Sequence, residues 1–225
     1  MDKKIIVAVF ALFFVAWFAL NQLPENKVDT PSTLPWNITH PSPETTQVFG
    51  VTLGKTTLDE AAHIFQHEAE TEISLFKPSE GNMSVEVFIE EVNFNGLKAK
   101  MTLTVALKPE VMQAMYERGA RLNSTPSGKR ITLAPADVQE VRAAPLNSLT
   151  YLPTASLDEA IISKRFGTPS ERIRETKSGE MHWLYAQHGL DVMLGSNQKV
   201  VFQYVPLKDF ELLRAPLLKH GAVIN

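Results

Sequence analysis

The chain has 225 residues, of which 44% are hydrophobic and 21% charged, with a net charge of −3 and no cysteine. It carries no basic stripe for nucleic acid and no long acidic tail. The absence of cysteine excludes disulfides, thiolate metal sites, a cysteine nucleophile and a lipid-anchored cysteine.

The N-terminus is Met1-Asp2-Lys3-Lys4, followed by an unbroken apolar run over residues 5–20. The run is longer than a typical signal-peptide core of about 7–15 residues and shorter than a typical span of about 20. The late small residues Ala16 and Ala19 are three apart rather than two, which does not fit signal cleavage. Residues 1–23 therefore read as an uncleaved signal anchor, a transmembrane helix crossing the inner membrane through residues 5–23. Lys3 and Lys4 keep its short end in the cytoplasm, so the C-terminal domain is expected in the periplasm. The alternative is a cleaved signal and a soluble periplasmic protein. Residues 24–47 hold five prolines among Ser, Thr and Asn, and read as an extended tether. Trp36 and Ile38 are its sizeable apolar groups, placed to dock on the domain or to meet a partner.

The phrase Leu-Asp-Glu-Ala occurs twice, at 58–61 and 157–160. Thr57 with Glu60, and Ser156 with Glu159, each form the Ser/Thr-x-x-Glu pattern of a capping box. Apolar residues follow at helical spacing: Leu58, Ala61, Ala62 and Phe65, then Leu157, Ala160 and Ile161. The second helix is expected to stop at Phe166-Gly167-Thr168-Pro169.

Strand patterns come next in each copy. Val85, Val87 and Ile89 alternate up to Asn95-Gly96, a strong hairpin signal, and Leu97, Ala99, Met101, Leu103 and Val105 share one face beyond it. In the second copy, 181–194 and 199–205 are separated by a turn. Further helices are expected over 109–120 and 209–222. The join between the copies carries a short strand at 130–133 and a short helix over 135–143.

The expected fold class is α+β: an N-terminal transmembrane helix, then a duplicated helix–antiparallel strands–helix unit. The repeats would cover 48–120 and 149–225, with 121–148 as a connecting insertion and either one continuous sheet or two abutting ones.

The run Phe166-Gly167-Thr168-Pro169, Trp183-Leu184-Tyr185, Gly189-Leu190-Asp191-Val192 and Lys199-Val200 resembles the small α+β module of two groups. One is the outer-membrane assembly lipoprotein of the SmpA/OmlA type, and the other the tandem-repeat β-lactamase inhibitor proteins. The likeness covers residues 156–204 and extends to 57–107. The chain departs from both groups in lacking a lipidation cysteine and disulfides. The resemblance implies a non-enzymatic scaffold whose sheet or loops meet other proteins.

Residues able to carry chemistry are scattered. Asp59/Glu60 and Asp158/Glu159 are neighbours on a helix and diverge by about 100°, so they do not form acid–base pairs. Glu60, His63 and His67 share a helix face and are the candidate metal ligands, although a solvated helix face is the better account of them and no metal site is expected. His182 and His188 share strand parity six residues apart and read as a wet sheet face. Ser74 with Lys77, and Ser196 with Lys199, match Ser-x-x-Lys outside the required helix start. Gly128-Lys129 lacks the rest of a phosphate loop. Trp183, Tyr185, Phe202 and Tyr204 read as core aromatics or as a partner patch.

No catalytic residue and no cofactor is expected. The leading reading is a non-enzymatic, membrane-anchored periplasmic protein-interaction or envelope-assembly module. Its partner would be another envelope protein, met through Trp183, Tyr185, Asn95 or Gly96. Two alternatives stand beside it: a metal-responsive sensor or enzyme using His63 and His67, and a lipid or small-ligand binder between the repeats.

Overall fold

The computed structural model describes residues 33–65, 72–79, 81–195 and 199–224. A two-residue strand pair opens this region, β1 (Gln47–Val48) and β2 (Val51–Thr52). The first half continues with α1 (Leu58–Phe65), β3 (Glu72–Pro78), β4 (Ser84–Phe94), β5 (Leu97–Val105) and α2 (Pro109–Arg118). After β6 (Arg121–Thr125), β7 (Gly128–Thr132) and α3 (Pro135–Ala143) comes β8 (Leu146–Pro153). The second half holds α4 (Glu159–Phe166), β9 (Glu171–Glu175), β10 (Met181–Tyr185), β11 (Leu190–Leu194), β12 (Val200–Tyr204), α5 (Glu211–His220) and β13 (Gly221–Val223).

Strands β3 to β13 form one eleven-stranded sheet in the order β13-β9-β10-β11-β12-β8-β5-β4-β3-β7-β6. Every neighbouring pair is antiparallel. The β4–β5 hairpin turns on Asn95 and Gly96, with φ of 52° and 85°. Both central positions are left-handed, which is the geometry that makes Asn-Gly a hairpin signal. Alternation then places Val85, Val87, Ile89, Ala99, Met101, Leu103 and Val105 on a buried face. A bulge between Ile89 and Val92 leaves Glu90 and Glu91 exposed, where they pair with Lys100 and Lys98.

This face carries the core, and the register extends it across the molecule to Tyr151, Phe202, Tyr204, Val192, Trp183 and Tyr185. Helices α1 to α4 cover it with Leu58, Ala61, Phe65, Met112, Met115, Val141, Ile162 and Phe166. Phe49 enters the same layer from the β1–β2 turn. Its centroid lies 4.8 Å from both Phe94 and Tyr151, and 5.9 Å from Tyr204. Phe49 holds φ of 53°, a costly conformation for a bulky residue, while its ring is fully buried.

The expected α+β duplication is overturned by this architecture, which is predominantly a single β-sheet. The first half contributes a three-strand meander, β3–β5, and the second a four-strand meander, β9–β12. The expected insertion is not peripheral, because 121–148 supplies β6, β7 and the start of β8. Strand β8 pairs with β5 along its length and with β12 on its other edge, so it fuses the halves. The expected transmembrane helix over 1–23 lies outside the described residues. Among the described residues no helix is long and apolar enough to cross a membrane.

The repeated phrase also resolves into two different helix starts. Thr57 and Glu60 make the full capping box: Thr57 N–H donates to Glu60 Oε2 at 2.8 Å, and Glu60 N–H to Thr57 Oγ1 at 3.3 Å. In the second copy α4 begins two residues later in the phrase. Asp158 is its cap, accepting from the Ile161 N–H at 2.8 Å. Both residue types are good caps, so the pattern alone did not separate them.

The described part of the expected tether packs on the sheet. Trp36 and Ile38 lie against the core, the Tyr204 hydroxyl donates to the Pro35 carbonyl at 2.8 Å, and Arg165 stacks 4.3 Å from the Trp36 ring.

Alanine substitution tests the cap assignments. Thr57→Ala and Asp158→Ala should each cost about 1 kcal/mol in urea unfolding, while Ser156→Ala should cost only a few tenths. An equal cost at Ser156 and Asp158 would contradict the assigned start of α4.

Candidate functional site

Trp183 and Tyr185 are 3% and 0% exposed, so the expected aromatic partner patch is corrected to core. Trp183 packs under the Arg172 guanidinium at 4.5 Å, and Tyr185 against Phe166 at 5.5 Å. Burial pushes the Tyr185 hydroxyl up to about 12, and it donates to the Gly167 carbonyl at 3.3 Å. Asn95 and Gly96 are exposed at a hairpin tip, where the Asn95 amide donates to Thr33 Oγ1 at 3.0 Å. Glu60 is engaged in its capping box, His63 is exposed on α1, and His67 lies outside the described residues. Among the described residues no cluster of metal-ligating groups includes Glu60 or His63. The sheet is continuous through β5, β8 and β12, where a groove between repeats was expected.

Two features stand out on the face of the sheet opposite the core. The first is its centre. Register places Thr102, Thr104, Ser148, Thr150 and Gln203 side by side on β5, β8 and β12. All five are half-buried, and Thr104 and Ser148 share a hydroxyl–hydroxyl bond of 2.7 Å. Phe88, Leu152, Met193 and Val201, also half-buried, add apolar area on the same face. All five polar side chains are neutral and all but Gln203 are short, so little charge desolvation, and little side-chain entropy at the Ser and Thr positions, opposes covering them.

The second feature is a buried polar pair at the β9–β11 end. His182 Nδ1 lies 2.8 Å from Asp191 Oδ2, and the two residues are 7% and 1% exposed. The expectation of a wet sheet face for His182 is therefore corrected. Strand parity does put His182 on the face opposite the core, but α5 packs over this end of the sheet, with Arg214 on Glu171 at 2.7 Å. Ile173 and Leu184, beside His182 on the same face, are fully buried. Leu184, two residues along from His182, was the local sign that the face is covered. Burial opposes a charge on His182, but the hydrogen bond that its ring donates to the Asp191 carboxylate, helped by Glu175 and Glu180, raises its pKa above the ordinary value.

His188 sits on the short turn after β10, stacked on His40 with centroids 6.0 Å apart. This contact and the Thr46 hydroxyl, which lies 3.5 Å from the His188 carbonyl, hold the N-terminal segment against the sheet end. Burial, and then the proximity of His40, lower the His188 pKa.

The native state thus disfavours a proton that unfolded His188 accepts near pH 6.5. The unfolded chain binds more protons between the lowered and ordinary values, so His188 contributes no penalty at high pH and a growing one as pH falls below 6.5. His188→Phe keeps a ring against His40 and cannot be protonated. It should shrink the loss of urea midpoint on going from neutral to mildly acidic pH; an unchanged loss would exclude His188 as a source. No protein-family model, curated protein or solved structure matches this chain.

Proposed function

We propose that this chain is a non-enzymatic, membrane-anchored module of the cell envelope that binds another envelope protein through the open face of its sheet. The observation that carries the reading is the row Thr102, Thr104, Thr150 and Gln203, half-buried on the face opposite the core helices. A mixed surface of neutral polar groups with Phe88, Leu152, Met193 and Val201, bordered by Glu86 and Lys100 on the same face, has the composition of a protein interface with its charges toward the margin. The exposed Asn95-Gly96 tip extends this surface at one margin.

Placement in the envelope rests on the apolar run 5–20 and on Lys3 and Lys4, which favour a cytoplasmic N-terminus and a periplasmic domain. The likeness of residues 156–204 to envelope scaffold modules points the same way.

A photo-crosslinking residue at Gln203 or Thr102 of the full chain should trap a reproducible protein partner in cells. The same probe at Glu110, exposed on α2, serves as the control. Equal products from all three positions, or none from the two sheet positions, would contradict the open face as the contact. A reporter fused after the C-terminus should be active only outside the cytoplasm, and cytoplasmic activity would overturn the topology.

A further inference from the structure

The geometry points to a divalent transition-metal site formed by Glu175, Glu180 and His182, with Asp191 holding the imidazole from behind. This site is separate from the open face and does not rest on its role.

One ligand atom from each of Glu175, Glu180 and His182 lies within 4.8 Å of the other two. The local backbone explains the convergence. Glu175 ends β9 and Glu180 immediately precedes β10, and the tight turn between them is closed by Glu175 N–H to Glu180 C=O at 2.9 Å. Gly179 N–H returns to the Glu175 carbonyl at 2.9 Å, with Gly179 at φ of 76°. The two acids therefore face one another across the hairpin mouth. Glu180, at the entry to β10, and His182 within it are two apart and point to the same side.

Three observations distinguish this cluster from an ordinary acidic surface. First, His182 is nine-tenths buried, and Nδ1 is the ring nitrogen that bonds to Asp191 among the described residues. That leaves Nε2 for a cation. Second, Asp191 is a carboxylate buried on β11 whose other oxygen, Oδ1, has no hydrogen-bond partner among the described residues. A carboxylate placed behind a histidine fixes its tautomer and ring orientation, and is the usual outer support of a metal-bound imidazole. Third, the Ser178 hydroxyl donates to Glu175 Oε2, orienting that carboxylate and leaving Oε1 available. Both glutamates are only partly buried, so small rotamer changes bring their oxygens to the roughly 2.0–2.2 Å that a bound zinc ion requires.

One imidazole and two carboxylates suit Zn²⁺, Mn²⁺ or Fe²⁺, and lack the soft sulfur that would select Cu⁺. Three protein ligands leave a coordination position for water or for a side chain from a partner.

The test is calorimetric titration of the metal-stripped full chain with Zn²⁺ and, separately, Mn²⁺. Wild type should bind one equivalent at this site. The double variant Glu175→Gln/Glu180→Gln should lose that equivalent, and Asp191→Asn should weaken it by about tenfold or more. His63→Ala should leave it unchanged. The two glutamates lie at the surface end of a hairpin, so the double variant should retain the wild-type circular dichroism spectrum and keep the comparison interpretable. Cobalt substitution gives a second readout, a visible absorption band present in wild type and absent from the double variant. The absence of saturable binding in wild type would overturn the site, as would binding that survives the double substitution. In either case His182 would be an ion-pair partner of the carboxylates and nothing more.

Discussion

Strand β8 holds the two halves of the molecule to one another. Tyr151 lies on β8, the strand with β5 on one side and β12 on the other. Its ring meets Phe49 at 4.8 Å, Phe202 at 6.1 Å and Phe94 at 6.4 Å, so the aromatic cluster draws on both halves and on the N-terminal segment. The β1–β2 turn keeps Phe49 in a disfavoured backbone region, and the surrounding packing sustains it. Tyr151 itself is fully buried, and its hydroxyl has no hydrogen-bond partner among the described residues. Burial accordingly raises that hydroxyl to about 12. The ring's packing outweighs the orphaned oxygen.

Once β8 is fixed between its neighbours, the two faces of the sheet acquire different roles. The core face takes the aromatics, helices α1 to α4 and the N-terminal segment. The opposite face is left polar at its centre and is covered by α5 only toward β9 and β13. That unequal covering separates the two features of interest. Neutral polar side chains remain open to a partner at the centre, while His182 and Asp191 are sealed at one end with Glu175 and Glu180 at the rim. A sheet that buried both faces throughout would offer neither.

Much of the first half was legible because its signals are local. Asn95-Gly96 specifies its own turn, and strict alternation on both sides specifies which residues go inward. Residues 135–143 likewise form α3, opened by Ala134 and Pro135. What was not legible depended on partners far along the chain. Nothing within 146–153 announces that it pairs with 99–105 on one edge and 202–204 on the other, so the join looked like an insertion. Strand parity puts His182 on the face opposite the core, but whether that face is wet depends on α5, some thirty residues later. The two Leu-Asp-Glu-Ala phrases differ only in which capping residue the backbone uses. Leu58 is the first residue of α1, whereas Leu157 lies against the core two residues before α4 begins.

Native-state hydrogen exchange on the full chain tests most directly whether β8 makes the two halves one folding unit. The account predicts that slow amides in β4 and β5 and slow amides in β11 and β12 exchange with the same opening free energy, and respond together to denaturant. Two distinct opening free energies, with the second half exchanging while the first remains protected, would contradict it.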